Sequence, residues 1–313
     1  MGKSKTRSMR RYPRRVDVLR RRLFAAGRRS AGRWLILGIV PVVSTIPQTA
    51  YGQRSRMGMV KNRAIDFSDR VVKFKTSDGV TIEADYYPVK VKPPKKTPVA
   101  ILIHMYPADR SSWKEFVPLL RKAGIAALAY DIRGRGGSTQ PASRKLKEGY
   151  DNRDPLLFKD AWKDARAARK WLRKQKNINT NRMVLIGASI GCSVALEYAG
   201  HNRRIKGVVC LSPGTDYFGV NSIEHIKKCS TIPILLMSPE GEFSAVQKLV
   251  EASGGRAKAH KYPGGHEHHG TAMFHAPYGK KVQKRIMRFV KKNLSINGKK
   301  KPDKPAHKKT PHA

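Results

Sequence analysis

The sequence predicts an α/β fold, with a mostly parallel central sheet and helices on both of its faces. Two observations carry this prediction. Continuous apolar runs alternate with amphipathic segments, as is typical of strands that are buried on both faces. In addition, the stretch MVLIGASIG (residues 183–191) has the pattern of a buried strand, a sharp turn and the start of a helix. Parallel sheets place their functional sites at the carboxyl ends of the strands.

The first half of the chain supplies the opening elements in order. Asp66–Pro88 alternates apolar and polar residues around SDG, which predicts a β-hairpin. VAILIH (residues 99–104) and IAALAYD (residues 125–131) read as buried strands, with a helix in WKEFVPLLRKAG between them. Phe158–Leu172 has apolar residues at helical spacing, which predicts an amphipathic crossover helix.

The second half continues the alternation of strands and helices. The remaining predicted strands are MVLIG (183–187), IKGVVCLS (205–212), IPILLMS (232–238) and AKAHKYP (257–263), followed by a final helix, VQKRIMRFVKKNL (282–294). Only residues 213–231 separate the strand IKGVVCLS from the strand IPILLMS. We therefore expect little or no cap domain above the sheet.

Four regions are expected along the chain: a basic export signal (1–52), a linker (53–65), the catalytic domain (66–294) and a disordered Lys/Pro-rich tail (295–313). The signal contains the apolar run WLILGIVPVV, and the small residues Ala50 and Gly52 precede Gln53, as at a signal-peptidase site. The expected location is the periplasm or cell envelope. Because the apolar run is shorter than the ~20 residues of a membrane-spanning helix, a permanent membrane anchor is the alternative.

Composition narrows the range of partners. The formal net charge is +43, of which residues 1–63 carry +16 and residues 291–313 carry +7, so the body is basic as well. This charge favours electrostatic association with an anionic polymer or a membrane surface. No nucleic-acid-binding module is recognisable, so we expect no specific nucleic-acid binding. The three cysteines, Cys192, Cys210 and Cys229, are too sparse for a disulfide framework.

Ser189 is the candidate nucleophile because it lies in a GxSxG pattern directly after a buried strand. Gly187 and Gly191 flank it at the spacing that a strained strand-to-helix turn requires. A serine hydroxyl is a poor nucleophile alone, so it needs a histidine base and an acidic group that orients the base. An ordinary helix cap is the alternative role for this serine.

Four motifs in this order resemble the α/β-hydrolase superfamily, and specifically its dienelactone-hydrolase-like serine esterases. They are LIHMYPADRSSW (102–113), DIRGRGGS (131–138), GASIG (187–191) and HGTAMF (269–274). The likeness runs from about Phe67 to Leu294. It implies the α/β-hydrolase fold and a serine hydrolase that needs no cofactor.

The resemblance also implies the site residues. It places Ser189 as nucleophile, His269 as base and Glu242 as acid, with Glu240 and Asp216 as alternatives for the acid. His269 is selected from the segment GGHEHHG by its HGT context.

The oxyanion hole is expected from backbone N–H groups. One belongs to Ile190, and the other belongs to Met105 or Tyr106 in the loop after His104. His104 itself is expected to be structural.

No metal is expected, because the histidine segment lacks HExxH spacing and has no evident partner elsewhere. The loop DIRGRGGS lacks the patterns of a phosphate-binding loop and is expected to be structural.

The predicted reaction is cleavage of an ester-type bond in a small-molecule acyl substrate through an acyl-enzyme. Two alternatives remain at this level. One is a non-catalytic hydrolase-fold protein that binds anionic polymer. The other is a peptidase or acyltransferase that uses the same triad. The sequence does not separate the esterase, peptidase and acyltransferase activities.

Overall fold

A computed structural model of the chain describes residues 68–90 and 95–296 and confirms the predicted α/β architecture. The strands of this part are β1 (Arg70–Lys75), β2 (Thr81–Tyr87), β3 (Thr97–Ile103), β4 (Ala126–Tyr130), β5 (Ile178–Ala188), β6 (Val208–Leu211), β7 (Asp216–Tyr217), β8 (Val220–Asn221), β9 (Ile234–Pro239) and β10 (Lys258–Tyr262). An eight-stranded sheet has the order β1-β2-β4-β3-β5-β6-β9-β10. The pairs β1·β2 and β2·β4 are antiparallel, and the other neighbours are parallel. The nucleophile strand β5 therefore lies inside the sheet, where its carboxyl end is flanked by β3 and β6.

Helices cover both faces of this sheet. They are α1 (Val117–Lys122), α2 (Leu146–Asp151), α3 (Pro155–Lys159), α4 (Trp162–Arg173), α5 (Ile190–Gly200), α6 (Ser222–Lys228), α7 (Phe243–Ala252) and α8 (Gly279–Asn293). One core cluster joins the sheet to α4, α5, α6 and α7, and a second joins it to α1 and α8. Strand β3 shows why both clusters exist, because Ile101 and Ile103 belong to the first and Ala100 and Leu102 to the second.

Most predicted elements are present with shifted ends. The hairpin expected at residues 66–88 is formed by β1 and β2 in its described part. The strand expected at residues 205–212 is shorter, since β6 covers only Val208–Leu211, whereas β5 begins five residues before the predicted MVLIG run. Polar residues such as Asn179 and Asn181 open β5. They have no apolar pattern from which a strand could be predicted.

The loop DIRGRGGS is structural, as expected. Its Arg133 is 2% exposed and donates from Nε and Nη2 to Asp164, at 2.9 and 2.8 Å. Arg133 also lies 2.8 Å from a carboxylate oxygen of Asp78. A buried guanidinium needs such partners, because an unpaired buried charge is strongly destabilising. The loop thus ties β4 to α4 and to the hairpin.

The expected export signal and linker (1–65) and nearly all of the tail (295–313) lie outside the described residues. Within residues 68–90 and 95–296, no helix is both long enough and apolar enough to cross a membrane. All three cysteines are free and buried, in agreement with the expected absence of a disulfide framework.

Candidate active site

Ser189 occupies a strained turn between β5 and α5. Its φ of 52° and ψ of −121° lie in a region that non-glycine residues rarely adopt. Although Ser189 is at the N-cap position of α5, its side chain makes no capping hydrogen bond. The side chain of Ser189 therefore does not act as an ordinary helix cap. The residue is only 6% exposed, and its backbone N–H donates to Leu211 on the neighbouring strand at 2.9 Å.

The two glycines of GxSxG allow close backbone contacts at this turn. A Cβ atom on Gly187 would lie 2.7 Å from the backbone nitrogen of Cys192, and one on Gly191 would lie 2.7 Å from the carbonyl oxygen of His104. Neither distance is tolerable for a carbon atom. The start of α5 therefore packs directly on the end of β3.

This packing brings the two candidate oxyanion donors into one region. Ile190 is the first residue of α5, and the first N–H groups of a helix have no intrahelical acceptor. Met105 is two residues beyond the end of β3, next to the backbone against which Gly191 packs. The backbone of Ile190 and that of Met105 are thus each one residue from this contact, and their action as an oxyanion hole stays a prediction.

His104 is a structural histidine. It is fully buried, its Nδ1 donates to the carbonyl oxygen of Met105 at 2.9 Å, and its Nε2 accepts from the backbone N–H of Ile132 at 2.9 Å. Burial lowers the pKa of His104. The neutral ring fixes the loop after β3 to the loop that follows β4.

Glu242 and His269 are in direct contact. The Nδ1 of His269 lies 2.7 Å from the Oε1 of Glu242, so the ring donates its proton to the carboxylate. The side chain of Glu242 is only 10% exposed. Burial alone would raise the pKa of Glu242, but the hydrogen bond and the charge interaction with His269 outweigh it and hold the pKa below its ordinary value. Glu242 is therefore an anion that fixes the orientation of His269.

The other two candidate acids lie elsewhere. Glu240 is exposed, and its carboxylate bonds Lys261 at 2.6 Å. Asp216 is exposed too and accepts from the backbone N–H of Gly219 at 2.9 Å, as a turn residue does. Among the three candidates, the structure brings only Glu242 to His269.

The histidine loop is attached to the nucleophile turn through Gly270. Its N–H donates to the Oγ of Ser212 at 2.9 Å, and its φ of 59° favours glycine. A Cβ atom on Gly270 would lie 3.5 Å from the Cβ of Ala188, the residue before Ser189. The loop that carries His269 thus lies against the end of the nucleophile strand.

Sequence reasoning missed two residues, Ser212 and Tyr217. Ser212 directly follows β6, has a φ of 51° and accepts the Gly270 bond described above. The ring of Tyr217 meets that of His269 edge-on at 6.5 Å between centroids. The pKa of Tyr217 is raised to about 12, chiefly by burial. A hydrogen bond with the Ser189 hydroxyl acts in the opposite direction but is the weaker effect. The position of Ser212 directly after the buried strand VVCL was a sequence signal for its role. No comparable signal in the sequence pointed to Tyr217.

His266 makes the site different from the expectation. Its Nδ1 lies 2.6 Å from the same Oε1 of Glu242 that bonds His269, although its side chain is 88% exposed. One donor atom from each of Glu242, His266 and His269 can be chosen so that all three lie within 4.8 Å of one another. The expectation that the histidine loop has no partner elsewhere is therefore wrong, because Glu242 comes from another loop. His268, in contrast, packs edge-on against Tyr278.

A strained serine at the end of a parallel strand, with a His–Glu pair on neighbouring strand ends, defines an α/β-hydrolase. The resemblance to dienelactone hydrolases and esterases is borne out. Residues 66–228 match the acetyl xylan esterase (AXE1) family, and the chain belongs to that family of hydrolases. The matched range includes Met105 and Ser189 but ends before Glu242 and His269.

Individual relatives are more distant. An uncharacterized protein of Mycobacterium tuberculosis is 27% identical over 157 residues, which is 50% of each chain. The chain thus spans about half the length of the first curated relatives it matches. An esterase of Pyrococcus furiosus superposes with a TM-score of 0.57 at 18% identity, covering 73% of this chain and 93% of the esterase. Dienelactone hydrolase of Anabaena variabilis gives 0.54 at 16% identity, covering 71% and 96%. At these identities the two structures show the shared fold.

Proposed function

We propose that the chain is a serine hydrolase that cleaves an ester-type bond through an acyl-enzyme, with Ser189, His269 and Glu242 as its triad. The observation that carries the proposal is the 2.7 Å bond between His269 and Glu242, on a loop whose Gly270 lies against Ala188, directly before the strained Ser189. An acid in this position keeps the proton of the imidazole on Nδ1 and leaves Nε2 free to accept another.

The proposed reaction has two stages, acylation of Ser189 and hydrolysis of the acyl-enzyme. The Oγ of Ser189 attacks the carbonyl carbon while the Nε2 of His269 takes the hydroxyl proton. The oxyanion that forms accepts hydrogen bonds from the backbone N–H groups of Ile190 and Met105. His269 then returns the proton to the leaving oxygen, and the C–O bond breaks to give an ester on Ser189. A water molecule, deprotonated by His269, then attacks this ester. His269 returns that proton to the Oγ of Ser189 as the bond from the acyl carbon to Oγ breaks, which releases the carboxylic acid and restores the serine hydroxyl.

The substrate class that we propose is a small acyl ester. The family name points to acetyl groups on carbohydrate hydroxyls, and this suits a chain in which the segment between β6 and β9 holds only β7, β8 and the short α6. Such a segment adds little above the strand ends, and we propose that the alcohol part of the substrate enters from this side. Transfer of the acyl group to water rather than to another alcohol or an amine belongs to the same proposal.

The replacement of Ser189 is the direct test. Ser189→Ala should lower the hydrolysis of acetyl esters by more than about 10³-fold, because the deleted oxygen forms the covalent bond. It should also abolish stoichiometric labelling by a serine-directed phosphonate, measured by mass spectrometry. Ser193→Ala is the matched control, since Ser193 lies on the same helix but bonds Ser222 at 2.7 Å. Labelling that survives in Ser189→Ala, or no labelling of the native chain, would end the proposal.

We also propose that residues 1–52 direct export to the periplasm or cell envelope. The support is the order of basic residues, apolar run and small residues before Gln53. N-terminal sequencing of the exported protein should then begin near Gln53. Full-length chain in the membrane fraction would instead support the permanent anchor.

A further inference from the structure

The triad acid has a second imidazole beside it. Both His266 and His269 direct Nδ1 at the Oε1 of Glu242, at 2.6 and 2.7 Å. A triad needs only the bond from His269, so the imidazole of His266 is additional to it. Two imidazole nitrogens and one carboxylate oxygen are a donor set that suits Zn²⁺. Glu242 lies on one loop and the two histidines on another, so no single sequence motif contains all three residues.

Burial and access at this cluster suit an ion that arrives from solvent. The side chain of His266 is 88% exposed and can turn to meet an ion, whereas that of Glu242 is 10% exposed. Within the part of the chain that the structure describes, the Oε2 of Glu242 is buried without a hydrogen-bond partner. The oxygen that both imidazoles contact is Oε1, and this is the carboxylate atom at which a cation would replace their N–H donors.

We propose that Glu242, His266 and His269 form a reversible Zn²⁺ site and that the bound ion switches the hydrolase off. The inhibitory part rests on the proposed serine-hydrolase function, but the metal site does not. Three protein ligands and one water molecule complete the four-coordinate geometry that zinc prefers. Exposed His266 acts as the ligand that the site can gain or lose, and the other two are held by the fold.

The chemistry explains why the ion would inhibit. A neutral imidazole has one N–H, and in the His269–Glu242 bond that proton is on Nδ1. Zinc binds the lone pair of Nδ1, so the proton must move through solvent to Nε2. Nε2 then has no lone pair with which to accept the proton of Ser189. The ion also occupies the carboxylate that would stabilise the imidazolium, so both roles of the triad partners are lost together.

The metal site is tested first without catalysis. Zinc chloride is titrated by calorimetry into full-length Ser189→Ala, which keeps all three donors. We expect one ion per chain at the strongest site. In the same background, His266→Asn should weaken that site by at least about 10- to 100-fold, since even outer residues of metal sites contribute that much. His268→Asn is the matched control, because His268 lies two positions away but packs against Tyr278 at 5.5 Å; zinc affinity should be unchanged.

The inhibition is tested on the active chain. Zinc should stop ester hydrolysis, EDTA should restore it, and the midpoint should match the calorimetric affinity. Each variant is compared with its own rate in EDTA, and His266→Asn should need at least about tenfold more zinc than His268→Asn. Absence of zinc binding to Ser189→Ala, binding unaffected by His266→Asn, or a rate that zinc leaves unchanged or increases would each overturn the proposal. If the chain binds zinc as expected but hydrolyses no ester, the function has failed and the metal site stands.

Discussion

Ser189 holds an unfavourable backbone conformation that its neighbours must stabilise. A non-glycine residue in such a region costs on the order of 1–3 kcal/mol. The N–H of Ser189 is fixed by the carbonyl oxygen of Leu211 at 2.9 Å, and the N–H of Cys192 closes the turn on the carbonyl oxygen of Ser189 at 2.8 Å. The strain is therefore maintained by the β5–β6 pairing and by the first turn of α5. In this conformation the hydroxyl group of Ser189 makes no capping hydrogen bond.

The contact between Glu242 and His269 leads to a prediction at this scale. A triad acid acts only through its histidine, so Glu242→Gln should lower ester hydrolysis by about 10²-fold or more in the native chain but add almost nothing to His269→Ala. The rates of the two single variants and the double variant measure this coupling. Glu240→Gln is the matched control, because Glu240 bonds Lys261 and should affect the rate little. Multiplicative losses in the double variant would show that Glu242 and His269 act independently.

The residue-scale site was predictable to the extent that it follows a local pattern. Ser189 stands in GxSxG, and His269 stands in an HGT context, so each can be found from its immediate neighbours. The choice among Glu242, Glu240 and Asp216 depends on which loop faces His269. That is decided by β9 and β10 being neighbours in the sheet, with Tyr262 opposite Pro239 in their register. Contacts across strands have no signature in a linear sequence, and for this reason His266 was not connected to Glu242.

Among the elements, helix α5 follows Ser189 at its start and carries a buried carboxyl group, that of Glu197, near its end. Glu197 is 8% exposed, and its Oε2 has no hydrogen-bond partner within the described residues. Burial raises the pKa of Glu197 to about 7, and the nearby carboxylate of Asp160 also raises it, against the charges of Lys228 and Lys163. Burial likewise lowers the pKa of His225, which lies 3.7 Å away, to about 4. Between these values both side chains are neutral, so the pair is no salt bridge near pH 5 to 6.

This shift predicts a pH-dependent stability. Because the pKa of Glu197 is higher in the fold than in the unfolded chain, folding favours the protonated form, and the free energy of unfolding falls as the pH rises from about 4.5 to about 7. Glu197→Gln removes this loss. We expect it to raise the free energy of unfolding by about 2–3 kcal/mol at pH 8 and to change it little at pH 4.5, as measured by urea denaturation.

The control for this measurement is Glu224→Gln on the adjacent α6. Glu224 is exposed and pairs with Lys227 at 2.9 Å, so its replacement should give no stabilisation at pH 8. Equal stability of native chain and Glu197→Gln at pH 8 would show that Glu197 is charged at little cost in the fold.

The elements themselves were predictable where burial imposes a pattern. Strands β3, β4 and β9 are continuous apolar runs because helices cover both of their faces. The short helices α2 and α3 and the two-residue strands β7 and β8 were not predicted individually. They are too short to develop a period, and their positions depend on tertiary contacts such as that of Pro155 on α3 with the turn at Gly219.

At the scale of the molecule, one groove beside α4 is lined by several basic side chains. The groove has a volume of about 590 Å³ and includes the side chains Lys75, Arg166, Arg169, Lys170 and Arg173. Each of these five lacks a carboxylate within 4.0 Å among the residues the structure describes, whereas Lys163 nearby pairs with Asp160. His201, which also lines the groove, directly follows the carboxyl end of α5. Ser189 directly precedes the start of the same helix, so the groove and the site lie at opposite ends of α5. An anion bound there would be about 16 Å from the site along an 11-residue helix.

We propose that the association with an anionic polymer, expected from the net charge, takes place at this groove. Arg166, Lys170 and Arg173 are exposed on α4, and we expect the triple change of all three to Gln to elute from a dextran sulfate column at clearly lower NaCl than the native chain. The triple change of Lys284, Arg288 and Lys291 to Gln on α8 is the control, because it removes the same charge from another exposed face. It should elute close to the native chain, and neither triple variant should lose ester hydrolysis. If both variants shift equally, total charge rather than the groove governs the association, and if neither shifts, the polymer binds through the basic segments outside the described residues.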